Sequence, residues 1–280
     1  MRTITTIAAM QALADSLRRE GKRIGFVPTM GFLHEGHLSL MRTARQENDV
    51  VIASIFVNPT QFGPKEDLAR YPRDAEGDHK KCESASVDII FTPSAEEMYP
   101  EKPTTFVTVE GLSDILEGAI RPGHFRGVAT VVTKFFHIVQ PHRAYLGQKD
   151  YQQCAVIKEM VKGLDIGVEI AVLSTIREPD GLAMSSRNSY LDPEQRKKAA
   201  CLFRALSAAQ ELVRSGVREP EKVKQKMRAV IAQEKGVEID YVEAADPEDL
   251  SSLETIKGRI VLLVAARIGS TRLIDNLLVL

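Results

Sequence analysis

The sharpest chemical signal in the chain is the run Pro28-Thr29-Met30-Gly31-Phe32-Leu33-His34-Glu35-Gly36-His37. Its two imidazoles stand three positions apart and can project from the same side of one turn. Gly36 between them leaves room for a ligand to approach the backbone. A short apolar stretch, residues 24–27, precedes the run, and helical spacing of Leu38, Met41 and Ala44 follows it. A strand–loop–helix passage of this kind lies at the carboxyl edge of a parallel sheet, where doubly wound folds place ligands. The helix start adds free N–H groups and about half a positive charge. These features suit phosphate binding, with imidazoles donating to oxygens on which negative charge develops. A metal pair and a pair of polar surface residues are the competing readings. A metal pair would want a third protein ligand, and no other cluster supplies an obvious one.

Two more segments carry the same kind of chemistry. Gly147-Gln148-Lys149-Asp150 lies between a strand-like and a helix-like stretch. Lys149 offers a point charge to a phosphate. Asp150 either caps the following helix or orients a metal-bound water. Gly181-Leu182-Ala183-Met184-Ser185-Ser186-Arg187-Asn188 is a glycine-flanked loop with two hydroxyls and a guanidinium, groups that suit a polyphosphate. A Ser-Ser-Arg tripeptide is common, and its position at a domain junction carries more weight than its composition. Gln61, in Asn58-Pro59-Thr60-Gln61-Phe62, could hold a hydroxyl or carboxylate of a small substrate. Gln152 and Gln153 open the helix after Asp150, and as lone glutamines all three, Gln61 included, are more often surface residues. Arg121-Pro122-Gly123-His124-Phe125-Arg126-Gly127 reads equally as a hinge or lid and as a helix-entry turn.

The elements that must position these groups alternate. Helical spacing covers residues 6–21, 36–48, 74–84, 125–139 and 150–162. Strand-like runs cover 24–27, 50–57, 88–91, 144–146 and 168–173, with a short extra strand expected at 105–109. Residues 50–57 are apolar throughout, as in a strand covered on both faces. The pattern predicts an α/β fold, a Rossmann-like doubly wound parallel sheet spanning residues 1–175. Beyond the turn at Glu178-Pro179-Asp180-Gly181, a capped helix is expected from Asp192 to about Ser215 and a lysine-rich one over 220–235. Strands at 237–243, 259–265 and 273–279 complete a smaller α+β domain over residues 176–280, expected to close over the active site.

Composition narrows the function classes. The 280 residues carry 37 basic and 38 acidic side chains, a net charge of −1. A general nucleic-acid or membrane-surface binder would need a basic excess. No apolar run approaches the roughly 20 residues of a bilayer span. Cys82, Cys154 and Cys201 are dispersed and read as small core hydrophobes. A soluble cytoplasmic protein is expected.

Taken in order, the segments 28–37, 58–62, 121–127, 147–153 and 181–188 resemble the motifs of the pantoate–β-alanine ligase family, from about residue 2 to the C-terminus. That family carries the His-x-Gly-His signature of the nucleotidyltransferase superfamily, which also includes the class I aminoacyl-tRNA synthetases. The resemblance implies that ATP, (R)-pantoate and β-alanine give pantothenate, AMP and pyrophosphate through a pantoyl adenylate. It implies that Met30, with Gly31, Phe32, Leu33, Glu35 and Gly36 beside it, contacts the nucleotide. His34, His37 and Lys149 then face the phosphates as the catalytic groups. Gly147, Gln148 and Asp150 line the nucleotide site near the ribose, and Ile176 meets adenine through its backbone. Met184, Ser185, Ser186 and Arg187 close over the phosphates, and Gln61 and Gln153 grip pantoate, with Gln61 also near β-alanine. Magnesium is implied as an ion bridging the ATP phosphates rather than sitting in a protein cage, and a homodimer is implied. The sequence departs from other members at Gln148, where acidic residues also occur, at Leu146, where an aromatic also occurs, and at Ile176, which replaces a smaller residue in some members. These departures bear on affinity more than on activity. The rivals are an adenylyltransferase for another small substrate, a class I synthetase fragment and a non-catalytic nucleotide sensor.

Overall fold

A computed structural model describes residues 1–64 and 66–279. The chain divides into two compact units, residues 1–147 with 152–174, and residues 148–151 with 175–280. In the first unit the strands are β1 (Arg2–Ile4), β2 (Ile24–Thr29), β3 (Val50–Ile55), β4 (Ile89–Phe91), β5 (Arg143–Gly147) and β6 (Glu169–Leu173). They form one parallel sheet in the order β1-β4-β3-β2-β5-β6. The helices of this part of the chain are α1 (Ile7–Arg19), α2 (Glu35–Glu47), α3 (Ala75–Ser84), α4 (Ala95–Met98), α5 (Glu117–Ile120), α6 (His124–Val139) and α7 (Tyr151–Gly163).

Alternation along the strands feeds two cores, one on each face of the sheet. Ile24, Phe26, Ile52, Ala144 and Leu146 join Met10 of α1, the buried stripe of α6 and Ile157 of α7. Val27, Val51, Ala53 and Tyr145 point the other way, into a cluster with Leu38 and Met41 of α2 and Cys82 of α3. Phe135 of α6 meets Phe26, Phe56 and Phe91 edge-on, at centroid distances of 5.6, 6.2 and 6.3 Å. The expected doubly wound architecture is present. Strand order reverses at β2, which pairs with β3 on one side and β5 on the other. The loops after the carboxyl ends of β2 and β5 therefore leave neighbouring strands at a topological switch point.

The second unit holds α8 (Pro193–Ala199), α9 (Cys201–Arg214) and α10 (Pro220–Ile231), with an antiparallel sheet of β7 (Val237–Ala245), β8 (Ile260–Ile268) and β9 (Thr271–Val279). Leu202, Ala205, Leu206, Ala209 and Val213 line one face of α9, and they join Val223 and Met227 of α10 and Leu262 and Val264 of β8 in this unit's own core.

Three expectations need correction. Residues 105–109 are not a strand. Their backbone is held by side chains instead: the Val107 N–H donates to Thr130 Oγ1 at 3.0 Å, and the Phe106 ring lies 3.6 Å beneath the Arg126 guanidinium. The helix expected over 192–215 is two helices joined at Ala200, where the sequence has no Gly or Pro to mark the break. The cap itself is as read, because Asp192 accepts from the N–H groups of Glu194 and Gln195. The last helix ends at Ile231 rather than 235. Strand β1 and helices α4 and α5 escaped the sequence reading, being only three or four residues long and too short for periodicity. All three cysteines are buried, and burial pushes the Cys82 thiol up to about 12 and the Cys201 thiol up to about 11.

Candidate active site

The chain leaves β2 through Thr29, whose hydroxyl donates to the Ser54 carbonyl at 2.6 Å and accepts the Gly31 N–H at 3.2 Å. Gly31 then takes φ +80°, and Phe32 follows at φ +49°. A Cβ on Gly31 would lie 2.8 Å from Asp78 Oδ2 and 3.0 Å from Ile55 Cγ2, so both conformation and space call for glycine. Asp78 is 1% exposed, and its carboxylate accepts the N–H groups of Phe32 at 2.8 Å and Leu33 at 2.7 Å. The loop is thus pinned from α3 before α2 begins.

His34 is the N-cap of α2. Its Nδ1 accepts the Gly36 N–H at 3.2 Å, while His37 Nδ1 accepts the His34 N–H at 3.2 Å. The rings lie 4.1 Å apart, centroid to centroid. A backbone N–H can only donate, so both Nδ1 atoms are acceptors and each neutral ring carries its proton on Nε2. The cap therefore builds two imidazole N–H donors at the start of a helix. Glu35 pairs with Arg42 along the exposed side of α2, a bond that holds its carboxyl below the usual range.

Gln61 is buried, contrary to the surface reading of a lone glutamine, because a polar cluster holds it. Asn58 caps the short 3-10 turn Pro59–Gln61; its Nδ2 donates to Gln61 Oε1 and to the Gly127 carbonyl, both at 3.2 Å. Gln61 Nε2 in turn donates to Met30 Sδ at 3.0 Å, which ties this cluster to the loop after β2. From the other side, Arg121 donates to both oxygens of Glu66 at 2.8 and 2.6 Å and to His124 Nε2 at 3.1 Å. Since arginine only donates, His124 must carry its proton on Nδ1, which lies 2.9 Å from the Gln61 carbonyl. Burial first and Arg121 second push His124 down to about 4. The segment 121–127 is thereby a helix-entry turn that buttresses Gln61.

Gly147 ends β5, and residues 148–150 form a 3-10 turn. Within the second unit, Lys149 Nζ lies 3.3 Å from Asp150 Oδ1, and the carbonyls of Gln148 and Lys149 both accept from Asn276 Nδ2 at 2.9 Å. The loop 181–187 belongs to the same unit. The Met184 N–H donates to the Ile176 carbonyl at 3.0 Å, and Ser185 Oγ accepts the Arg187 N–H at 3.3 Å, capping the turn Ser186–Tyr190. Gln153 is half-buried on the first turn of α7. Its neighbour Gln152 is not a surface residue. Its amide donates to the carbonyls of Leu112 and Ile115, each at 2.8 Å, and its Oε1 accepts the Glu117 N–H at 3.0 Å.

The first unit therefore brings together residues 28–37 and Gln61, and the second brings together 148–150, Ile176 and 181–187. Sequence reasoning missed Asp78, Glu66, Asp275 and Asn276. Only the last two left a trace, as a polar pair inside the apolar run of β9. Among the described residues, no three His, Cys, Asp or Glu side chains gather as a metal-binding group, and no helix is long and apolar enough to cross a membrane.

Comparison with known proteins shows the family. The family model for pantoate–β-alanine ligase matches residues 2–278. The chain belongs to the pantoate–β-alanine ligase family. It is 54% identical to a pantothenate synthetase from Acetivibrio thermocellus over 279 residues, covering 100% of this chain and 99% of the relative. A pantothenate synthetase from Moorella thermoacetica is 56% identical, with 99% and 98% covered. The crystal structure of pantothenate synthetase from Thermus thermophilus superposes with a TM-score of 0.94 at 49% identity, covering 99% of each chain. That of pantoate–β-alanine ligase from Francisella tularensis, complexed with β-γ ATP and β-alanine, does so with a TM-score of 0.82 at 38% identity, covering 99% of this chain and 97% of that one. As a member of this family the chain is an ATP-dependent carbon–nitrogen ligase that forms pantothenate from pantoate and β-alanine, with AMP and pyrophosphate as the other products. Whole-length similarity of this kind sets aside the sensor, the synthetase fragment and the adenylyltransferase for another substrate.

Proposed function

We propose that the enzyme couples the two substrates through a pantoyl adenylate. A carboxylate is a poor acyl donor because its leaving group would be oxide. In the first step a pantoate carboxylate oxygen bonds to the α-phosphorus of ATP, and the bond to the bridging oxygen breaks to release pyrophosphate. In the second step the β-alanine amine attacks the acyl carbon, AMP departs with the bridging oxygen, and the nitrogen loses its proton. No protein nucleophile is required. The enzyme's tasks are alignment and stabilisation of charge on phosphate oxygens.

The observation that carries this reading is the fixed tautomer of His34 and His37, two Nε2–H donors built into a helix start. In this reading both imidazoles and Lys149 donate to the phosphates. Met30, Gly31, Phe32, Leu33, Glu35 and Gly36 line the nucleotide. Gly147, Gln148 and Asp150 serve the ribose side, and Ile176 meets adenine through its backbone. Met184, Ser185, Ser186 and Arg187 cover the phosphates. Gln61 and Gln153 hold pantoate, and the cluster that orients the Gln61 amide supports that role. The Francisella relative's complex with β-γ ATP and β-alanine supports those two substrates. Magnesium fits as an ion carried on phosphate oxygens, its preferred ligands, since no protein cage gathers among the described residues. The enzyme acts in the cytoplasm as a homodimer in this reading, and sedimentation of the purified protein checks the dimer.

Exchange of labelled pyrophosphate into ATP, with pantoate and magnesium but without β-alanine, tests the mechanism. Pantoate-dependent exchange is expected. No exchange from folded protein that still binds ATP would overturn the two-step route.

A further inference from the structure

From Leu273 to Val279 strand β9 is apolar except at Asp275 and Asn276, which are 3% and 1% exposed. Polar groups buried this deeply are costly unless they are bonded. Each has partners that an antiparallel sheet does not itself need. Asn276 Nδ2 donates to the carbonyls of Gln148 and Lys149, each at 2.9 Å, and its Oδ1 accepts from Gln148 Nε2 at 3.2 Å. Asp275 receives Arg177 in a two-point pair at 2.6 and 3.0 Å. Arg177 also donates to the Gly181 carbonyl at 3.0 Å and the Asn276 carbonyl at 3.1 Å, and its guanidinium lies 4.2 Å from the centre of the Phe203 ring. Gly181 opens the loop that carries Met184, Ser185, Ser186 and Arg187. Two segments about thirty residues apart are thus fastened to consecutive residues of one strand.

We propose that Asp275 and Asn276 are positioning residues for ATP. They hold the two phosphate-binding segments in register, Asn276 through the carbonyls of residues 148 and 149, Asp275 through Arg177. The inference rests on the assignment of Lys149, Ser185, Ser186 and Arg187 to the ATP phosphates. Its physical basis is the nature of lysine, a point charge on a flexible four-carbon stem, whose reach is set by where its backbone is fixed. A leucine at 276 would match the apolar neighbours of the strand but would take the Asn276 donor from the carbonyls of residues 148 and 149 and release them.

Initial rates at varied ATP, pantoate and β-alanine test this on the full-length enzyme, with Asn276→Leu and Lys149→Ala singly and together. Removing groups that orient metal-binding residues typically costs on the order of 10–100-fold, and the same scale is expected for groups that orient a phosphate-binding lysine. Asn276→Leu should raise the ATP KM by about that factor while the pantoate KM stays within about twofold. Because Asn276 acts through the lysine, it should add little in the Lys149→Ala background. Full additivity, or equal rises in both KM values, would overturn the relay. So would a normal ATP KM in Asn276→Leu when Lys149→Ala is impaired. If Lys149→Ala itself leaves the ATP requirement unchanged, the phosphate assignment falls, and the relay with it. Circular dichroism melts accompany each variant. Should leucine prevent folding, Asn276→Ser and Arg177→Lys make the same comparison, since each removes bonds in the network while keeping a polar side chain.

Discussion

At the scale of single residues, chemistry depends on which atom carries a proton. His34 and His37 are donors at Nε2 because backbone N–H groups occupy both Nδ1 atoms, a consequence of serving as cap and capping-box partner of α2. Glutamine or serine at these positions could cap the helix, but neither would set a rigid ring donor beside a second one. His37→Ala is therefore expected to lower pyrophosphate exchange by about 10²–10³, the usual loss on removing a transition-state hydrogen-bond donor. The cap bond it removes is worth only about 1 kcal/mol of stability. Comparing turnover with denaturant midpoints separates the two effects. Near-normal turnover in a stable variant would remove His37 from the chemistry.

At the scale of elements, the buttress around Gln61 depends on how closely α6 approaches the turn Pro59–Gln61. A Cβ on Gly127 would fall 2.4 Å from the Thr60 carbonyl oxygen and 2.7 Å from Gln61 Cα, both backbone atoms that cannot swing aside. Gly127→Ala is expected to destabilise the protein by roughly 1–3 kcal/mol, the range for overpacking. It should also raise the pantoate KM while leaving the ATP KM near its original value. Steady-state kinetics on both substrates decide this, and an unchanged pantoate KM would detach Gln61 from that substrate. The same region shows what a sequence can disclose. Helix α6 was legible because Phe125, Val128, Val132, Phe135 and Val139 keep helical period, and β3 because residues 50–57 are apolar throughout. The loop 28–37 was legible because histidine and glycine are informative types between a strand and a helix. Asp78 was not, since an aspartate inside a helix looks like any solvated residue until the chain brings it under the Phe32 and Leu33 amides. The burial of Gln152 and Gln61 is not legible for a related reason: it is decided by partners far away in the chain. Residues 105–109 mislead in the opposite direction: their composition is strand-like, but they pair with no strand among the described residues.

For the molecule as a whole, the half-buried Glu66–Arg121–His124 chain couples stability to pH. His124 titrates near its ordinary value of 6.5 when unfolded and at about 4 when folded, because burial and then the Arg121 charge disfavour its protonated form. The unfolded chain therefore binds more protons between those values, and stability is present above about pH 6.5 and lost as pH falls toward about 4. Glu66 works in the same direction at lower pH. Burial raises its carboxyl, but the Arg121 bonds outweigh that and hold it below 4.5, so its contribution is lost as acid protonates it. Glu117 adds a weaker charge that favours His124 protonation and reduces the gap without reversing it. A gap of about 2.5 units corresponds to roughly 3 kcal/mol in full, of which roughly 2 kcal/mol should be lost between about pH 7.5 and pH 5. Urea unfolding at those two values measures the loss directly. His124→Asn keeps an N–H donor for the Gln61 carbonyl but cannot titrate, so its stability should vary far less over the same interval. If the original protein and the variant lose equal stability, the acid sensitivity arises elsewhere and His124 is not held neutral by its burial. If only the original protein loses it, the groups that orient Gln61 also set the acid limit of the fold.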